Sequence, residues 1–193
     1  HKDLGGVIPE MAARQHLEIL DILGKSIKKI NFSKISAIAA TFGPGLIGGL
    51  IVGSSFAKGL SISKNVKLVP INHLQAHLLS PRLVSEIKFP YLCLLVSGGN
   101  TALVLVKNSK SFITLGSTID DSAGECFDKV AKGLGLGYPG GPEIERLALG
   151  GNIEKFKLPM PLTMKNNCDF SFSGLKTAAL NTIRNNKKTK LFL

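Results

Sequence analysis

Apolar positions recur along this chain with two spacings, and the alternation between them lays out the elements. From Pro9 to Lys29, Met11, Leu17, Leu20, Leu23 and Ile27 form a helical stripe, with proline in the first turn where its missing N–H is not needed. Ile35–Ala40 is a short apolar run bounded by Ser and Gly, hence a buried strand. Leu46–Ser61 reads as a glycine-bearing helix, Lys67–Ile71 as a second strand, and His73–Val84 as a helix that Pro81 shortens. Tyr91–Ser97 and Thr101–Lys107 flank Gly98-Gly99-Asn100, a strong hairpin signal, and Ile113–Gly116 adds a strand. Ser122–Leu134 is amphipathic, with Ala123, Cys126, Phe127, Val130 and Leu134 on one side. Gly135–Gly141 is a glycine-proline loop, Pro142–Leu149 a short helix, and 150–170 irregular. Ser173–Arg184 is a helix with a serine cap. Strands alternating with helices, plus one hairpin, give an α/β chain with mixed sheets.

Composition narrows the class. The chain has 193 residues, 44% of them apolar and 19% charged, which excludes a disordered chain and leaves enough apolar material for a core. With 24 Lys+Arg against 13 Asp+Glu the net charge is +11, which suits a polyanionic partner as well as mere solubility. Cys93, Cys126 and Cys168 are odd in number and widely spaced, against both a disulfide scaffold and a cysteine-built zinc site, so a reducing cytosol is the default. The chain opens on His1 and reads as a piece whose start lies upstream. No charge falls between Lys34 and Lys58, long enough for a bilayer, but Gly43-Pro44-Gly45 breaks the run and leaves either side too short to span.

Four stretches carry candidate chemistry. Gly43-Pro44-Gly45-Leu46-Ile47-Gly48 satisfies G-x-G-x-x-G between a strand and a helix. A dinucleotide site also wants an acid about twenty residues on, and none occurs between Asp21 and Glu86. What remains is an anion-facing turn or simple close packing of helix on strand. His73 and His77 stand at i and i+4 on one helical face, spaced to share a divalent metal or merely to sit on a surface. A zinc protease of the H-E-x-x-H kind needs Glu where Leu74 stands. Ser97-Gly98-Gly99-Asn100-Thr101 is a hairpin tip that a ligand can approach closely, or a plain turn. Asp120, Asp121, Glu125 and Asp128 crowd a helix start, where acids suit the dipole. Asp121, Glu125 and Asp128 also share a face that suits sugar hydroxyls or cations. The loop Gly137–Glu143 then leads into the next helix.

Taken in order, VIPEMAARQH, TFGPGLIGGLIVGSSFAKGLS, INHLQAHLLS, LLVSGGNTALVLV, GSTIDDSAGECFDKVAKGLGLGYPGGPEIERLA and FSFSGLKTA resemble one family from Gly5 to about Thr182. It is the bacterial tRNA N6-adenosine threonylcarbamoyltransferase family, formerly the O-sialoglycoprotein endopeptidase or glycoprotease family. The resemblance implies an actin-like ATPase fold shared with sugar kinases, here incomplete, with mixed sheets and flanking helices. Residues 1–107 would form most of the first lobe without its first strand and phosphate turn, and 108–184 the start of the second. Residues 185–193 are a basic tail that matches nothing.

The resemblance also implies an activity. The threonylcarbamoyl group of threonylcarbamoyl-AMP passes to N6 of the adenosine beside the anticodon, in tRNAs reading codons that begin with A. His73 and His77 match the two histidine ligands of one divalent metal, iron before zinc. Val96, Ser97, Gly98, Gly99 and Asn100 match the strand and turn that contact the substrate, and Asp128, Gly141 and Glu145 the positions that hold its adenosine. Asn100 stands where the family often has His. The family's third protein ligand, an Asp, and a substrate-binding Asn lie in a longer second lobe not matched here, so the 193 residues alone are expected to bind metal weakly and to be inactive. Expected partners are tRNA, a paralogous dimerisation partner, a small ATPase and the enzyme that makes the adenylate. The location is cytoplasmic, off the membrane. A non-catalytic fragment or pseudogene product is the alternative; a zinc metalloprotease and a generic actin-fold ATPase or sugar kinase rank below it. Five basic residues and no acid fall from Lys176 onward, which leaves +6 of the charge to residues 1–175. A missing lobe would also leave an apolar face exposed.

Overall fold

The computed structural model describes residues 8–27, 29–163 and 166–187, which fall into two compact units divided after Ser85. Residues 107 and 108 both lie in the second unit, at the end of a strand in its hydrogen-bonded sheet. The part of the 185–193 tail beyond Lys187 lies outside the described residues.

The first unit begins with α1 (Pro9–Ile27), followed by a 3₁₀ turn at Phe32–Lys34. Then come β1 (Ala37–Gly43), α2 (Ile47–Lys64), β2 (Lys67–Asn72) and α3 (His73–Leu79). β1 and β2 pair in parallel from Ala37↔Lys67 to Thr41↔Ile71, with α2 as the crossover. β1 starts two residues later than its apolar run and continues to Gly43, where the register breaks. Pro81 ends α3 as expected, its last turn continuing as a 3₁₀ turn at Ser80–Leu83. The buried core here is small, Ala57 and Leu78. The expected α1 stripe is only half covered: Leu17 is 64% exposed and Leu23 also lies open, because α2 is the one helix packed along α1. A groove of about 730 Å³ between them is lined by Leu17, Leu20, Gly24, Ile51, Val52 and Phe56.

The second unit is an antiparallel sheet, β3 (Tyr91–Val96), β4 (Thr101–Asn108) and β5 (Ser111–Ser117), in the order β3-β4-β5. Helices α4 (Ala123–Leu134), α5 (Gly140–Ala148) and α6 (Ser173–Lys187) complete it. One sheet face buries Leu95, Val104 and Val106, while Leu92, Leu94 and Val96 on the other lie open. α4 and α6 bury Cys126, Ala131 and Ile183. α5 begins at Gly140, two residues ahead of Pro142, because a side chain of α4 holds the Gly140 N–H. The described residues of the 150–170 stretch stay irregular until Phe170, which bridges to Thr118. No helix among the described residues is long and apolar enough to cross a membrane.

Candidate functional site

Each unit presents one group of candidate residues. In the first, Asn72 ends β2 and caps α3, its side chain accepting from the Gln75 N–H at 3.1 Å. The helix therefore starts on His73, and His77 lies one turn on, over the same face. Their Nε2 atoms are 2.9 Å apart and the ring centroids 4.6 Å. His73 Nδ1 lies 3.1 Å from the Pro44 carbonyl and donates to it, which leaves the lone pair on Nε2 and makes His77 the donor in the Nε2 contact. Gly43 and Gly45, with φ of +149° and +157°, give Pro44 the backbone path that aims this carbonyl. The glycine run that imitates a dinucleotide motif thus ends up orienting an imidazole.

Two convergent imidazoles, one with its second nitrogen tied to a carbonyl, have the arrangement of metal-bound histidines. Neighbouring ligands about 2.1 Å from one ion stand about 3 Å apart, so the 2.9 Å separation fits. Both Nε2 atoms can ligate once the His77 proton moves to Nδ1. Among the described residues no third His, Cys, Asp or Glu joins them.

In the second unit the β3–β4 turn is closed from within: Ser97 N–H donates to the Asn100 carbonyl at 2.8 Å and Asn100 N–H to Ser97 Oγ at 3.0 Å. The turn is then fixed to the start of α4. Ser122 Oγ donates to the Gly98 carbonyl at 2.7 Å, Gly124 N–H to the Ser97 carbonyl at 3.2 Å, and Ala123 N–H to Thr101 Oγ1 at 2.9 Å. Among the described residues, Gly98 and Gly99 N–H have no partner, both residues are exposed, and a Cβ on either would meet open space. Two adjacent free donors can take a phosphate or carbonyl oxygen.

Farther along α4, Asp128 Oδ1 accepts from Gly140 N–H at 2.7 Å, leaving its second oxygen for another donor. Gly141 and Glu145 follow at i and i+4 on α5, Gly141 with open space around it and Glu145 exposed. Six residues of α4 rise separate Ser122 from Asp128, about 9 Å. The structure thus sets the turn that follows Val96 (Ser97, Gly98, Gly99 and Asn100) against the start of α4, and holds the start of α5, with Gly141 and Glu145, against Asp128 farther along the same helix. His73 and His77 belong to the other unit.

The acidic cluster resolves differently from a cation site. Asp121 pairs with Lys176 and Lys129, and Glu125 with Lys129 at 2.6 Å, so the repulsive face is neutralised. Asp120 caps α6 from a distance: its carboxylate accepts from Ser171 Oγ at 2.5 Å, Phe172 N–H at 2.7 Å, and Ser173 N–H and Oγ at 3.2 and 2.9 Å. Desolvation works against ionisation, yet these donors outweigh it and hold Asp120 well below the usual carboxylate range. A pKa lowered on folding adds stability that is present above the unfolded value near 4 and is lost as pH falls through the folded value. Asp120→Asn is expected to cost about 1 kcal/mol at neutral pH, the side chain being exposed, and to flatten the acid limb of stability. Thermal melts between pH 7 and 3 check this; an unchanged acid limb in the variant would count against it. Burial pushes the Cys93 and Cys126 thiols up, so neither is an activated nucleophile.

Sequence reasoning missed the roles of Thr101, Ser122 and Gly124 under the turn. The S-A-G run at a helix start, twenty-odd residues after S-G-G-N, was the only signal, and it does not say which loop it meets.

These blocks match known proteins. A sequence model of the family described as tRNA N6-adenosine threonylcarbamoyltransferase matches residues 1–190, beyond the point near 185 where the motifs thin out. A protein of that name from Wolbachia pipientis wMel is 51% identical over 193 residues, covering 98% of this chain and 58% of its own length. Others of that name, from Gluconobacter oxydans (strain 621H) and Methylorubrum extorquens (strain PA1), are 53% and 52% identical over 92% of this chain and 50% and 52% of theirs. The chain therefore spans little more than half the length of these relatives. By the extent of the family match and by this identity, it belongs to the tRNA N6-adenosine threonylcarbamoyltransferase family and has that family's actin-like ATPase fold.

Proposed function

We propose that the chain carries the adenylate-holding and metal-holding parts of an enzyme that moves threonylcarbamoyl from threonylcarbamoyl-AMP to N6 of the tRNA adenosine beside the anticodon. The observation that supports this most is the Ser97–Asn100 turn, clamped to α4 with the Gly98 and Gly99 N–H groups left free.

The donor is a mixed carbamic–phosphoric anhydride. Attack by the N6 amine forms the N–C bond, the C–O bond to phosphate breaks, AMP leaves, and the amine loses a proton. The leaving group is good, so the chain's work is positioning and charge stabilisation. Gly98 and Gly99 N–H donate to the adenylate's oxygens, with Val96, Ser97 and Asn100 shaping the turn. Asp128 accepts from the ribose through its unused oxygen, and Gly141 and Glu145 bound the adenosine. No covalent enzyme intermediate is needed. His73 and His77 hold a divalent metal, iron before zinc, which when bound supplies Lewis acidity. tRNA, threonylcarbamoyl-AMP, a paralogous partner, a small ATPase and the adenylate-making enzyme are the partners of this reading, in the cytoplasm and off the membrane. Residues 1–107 and 108–184 are its first and second lobes.

The test joins this chain to the remaining length of the Wolbachia pipientis relative and supplies tRNA, threonylcarbamoyl-AMP and the partner proteins. Nucleoside mass spectrometry is expected to find the modified adenosine with the chimera and none with the 193 residues alone. An inactive chimera beside an active relative would support the non-catalytic alternative instead. Chelator-sensitive proteolysis is not expected, because Leu74 replaces the Glu a zinc protease needs.

A further inference from the structure

The Ser97–Asn100 turn and the start of α5 at Gly140 do not simply lie near α4; each is seated against it through a glycine with no room for a side chain. A Cβ on Gly124 would lie 2.5 Å from the Ser97 carbonyl oxygen, 2.7 Å from its carbon and 2.8 Å from Gly98 Cα. A Cβ on Gly140 would lie 2.5 Å from Ala131 Cβ, 2.7 Å from the Phe127 carbonyl oxygen and 2.8 Å from Asp128 Cα. Nearly all these atoms are backbone, which cannot rotate aside as a side-chain tip can. The hydrogen bonds pull in the same sense: Ser122 Oγ donates to the Gly98 carbonyl, Gly124 N–H to the Ser97 carbonyl, and Gly140 N–H to Asp128 Oδ1.

We infer that Gly124, with Ser122, is a positioning residue that sets where the Gly98 and Gly99 donors stand relative to Asp128, and that α4 is the spacer fixing that span. The inference rests on the reading of the turn as an adenylate contact. Gly124 touches no ligand in this account. It acts through the turn, whose tip is exposed and which the bonds from Ser122, Ala123 and Gly124 hold at the height of α4's first residues. An alanine there must lift the Ser97–Gly98 backbone by several tenths of an ångström or more. Both free donors then move away from the ligand oxygen they would meet, and hydrogen bonds weaken steeply with such displacement.

The experiment uses the 193-residue chain with AMP as probe. In the unsubstituted chain, AMP is expected to shift the backbone amide resonances of Gly98 and Gly99. Gly124→Ala is expected to weaken AMP binding at least tenfold and to displace the 97–100 amide resonances. Gly133→Ala is the control on the same helix. Its Cβ would meet the side-chain tip of Leu180 at 2.6 Å, facing α6 and not the turn, so it perturbs packing but should keep AMP affinity within twofold. Ser122→Ala removes the 2.7 Å bond to Gly98 with no clash, so it answers the question if Gly124→Ala does not fold; a loss of at least threefold is expected. If the folded Gly124→Ala chain, or the Ser122→Ala chain in its place, binds AMP as the parent does while AMP still shifts Gly98 and Gly99, the positioning role is wrong and the adenylate reading stands. An equal loss in Gly133→Ala also overturns it, as a general loss of packing. If AMP leaves the Gly98 and Gly99 amides of the parent unmoved, the adenylate reading falls and the inference with it.

Discussion

Replacing His73 or His77 with alanine is expected to weaken divalent-metal binding by the chain more than tenfold. Among the described residues the proposed site has two candidate ligands and no third to fall back on. One exposed imidazole binds a metal no better than any surface histidine, so the advantage of two preset Nε2 atoms 2.9 Å apart vanishes with either ring. The loss should exceed tenfold, more than about 1.4 kcal/mol. The two variants should also differ. His73 is the ring whose Nδ1 is fixed by the Pro44 carbonyl, so losing His77 leaves a well-oriented lone ligand, whereas losing His73 leaves a ring with no such support. Calorimetric titration with Zn(II) and Fe(II), the latter without oxygen and with the cysteines blocked, measures both. Affinity equal to the parent's in either variant would place the metal elsewhere.

The elements that were legible in sequence are those whose signal is local. The Ser97–Asn100 hairpin and the proline stop at Pro81 each follow from a few adjacent residues. So does the facing of His73 and His77, which needs only the helical repeat. What could not be read is contact between distant segments. Four acids near 120–128 look like one cluster, but Asp120 belongs to α6, some fifty residues on, and Asp121 to Lys176. Gly43–Gly48 imitates a phosphate loop, and only the structure shows the Pro44 carbonyl meeting His73. Gly124 and Gly140 look like flexible spacers in sequence and prove to be fitted contacts. The apolar stripe of α1 was legible as a stripe but not as a buried one, since burial depends on what packs over it. Ile47 at 75% and Leu92 at 62% exposure show the same for α2 and β3.

The largest effect on stability is expected at Gly116, in β5. Here Gly116→Ala should cost about 3–5 kcal/mol, most of what holds a unit of this size together. An added Cβ would lie 2.0 Å from the Cys168 carbonyl oxygen, 2.1 Å from its carbon and 2.7 Å from Asp169 N, a full overlap with backbone. The strand that would have to retreat is tied down on both sides. Phe170 N–H donates to the Ser117 carbonyl at 3.1 Å, Ile119 N–H to the Phe170 carbonyl at 2.9 Å, and Ser117 N–H to Asp169 Oδ1 at 3.1 Å. Relieving the clash therefore breaks two or three hydrogen bonds, about 1 kcal/mol each, on top of the strain. The damage also reaches the Asp120 cap, since Ser171, Phe172 and Ser173 follow directly in the displaced segment. With about 4–8 °C of melting temperature per kcal/mol for a unit near 100 residues, the variant should melt well over 10 °C lower or fail to fold. Gly174→Ala is the opposite case: it lies in the first turn of α6 with open space around it, so the added methyl should leave the melting temperature within a few degrees or raise it. If Gly116→Ala melts as the parent does, Cys168 and Asp169 do not pack on β5, and the capping of α6 by Asp120 loses its support with them.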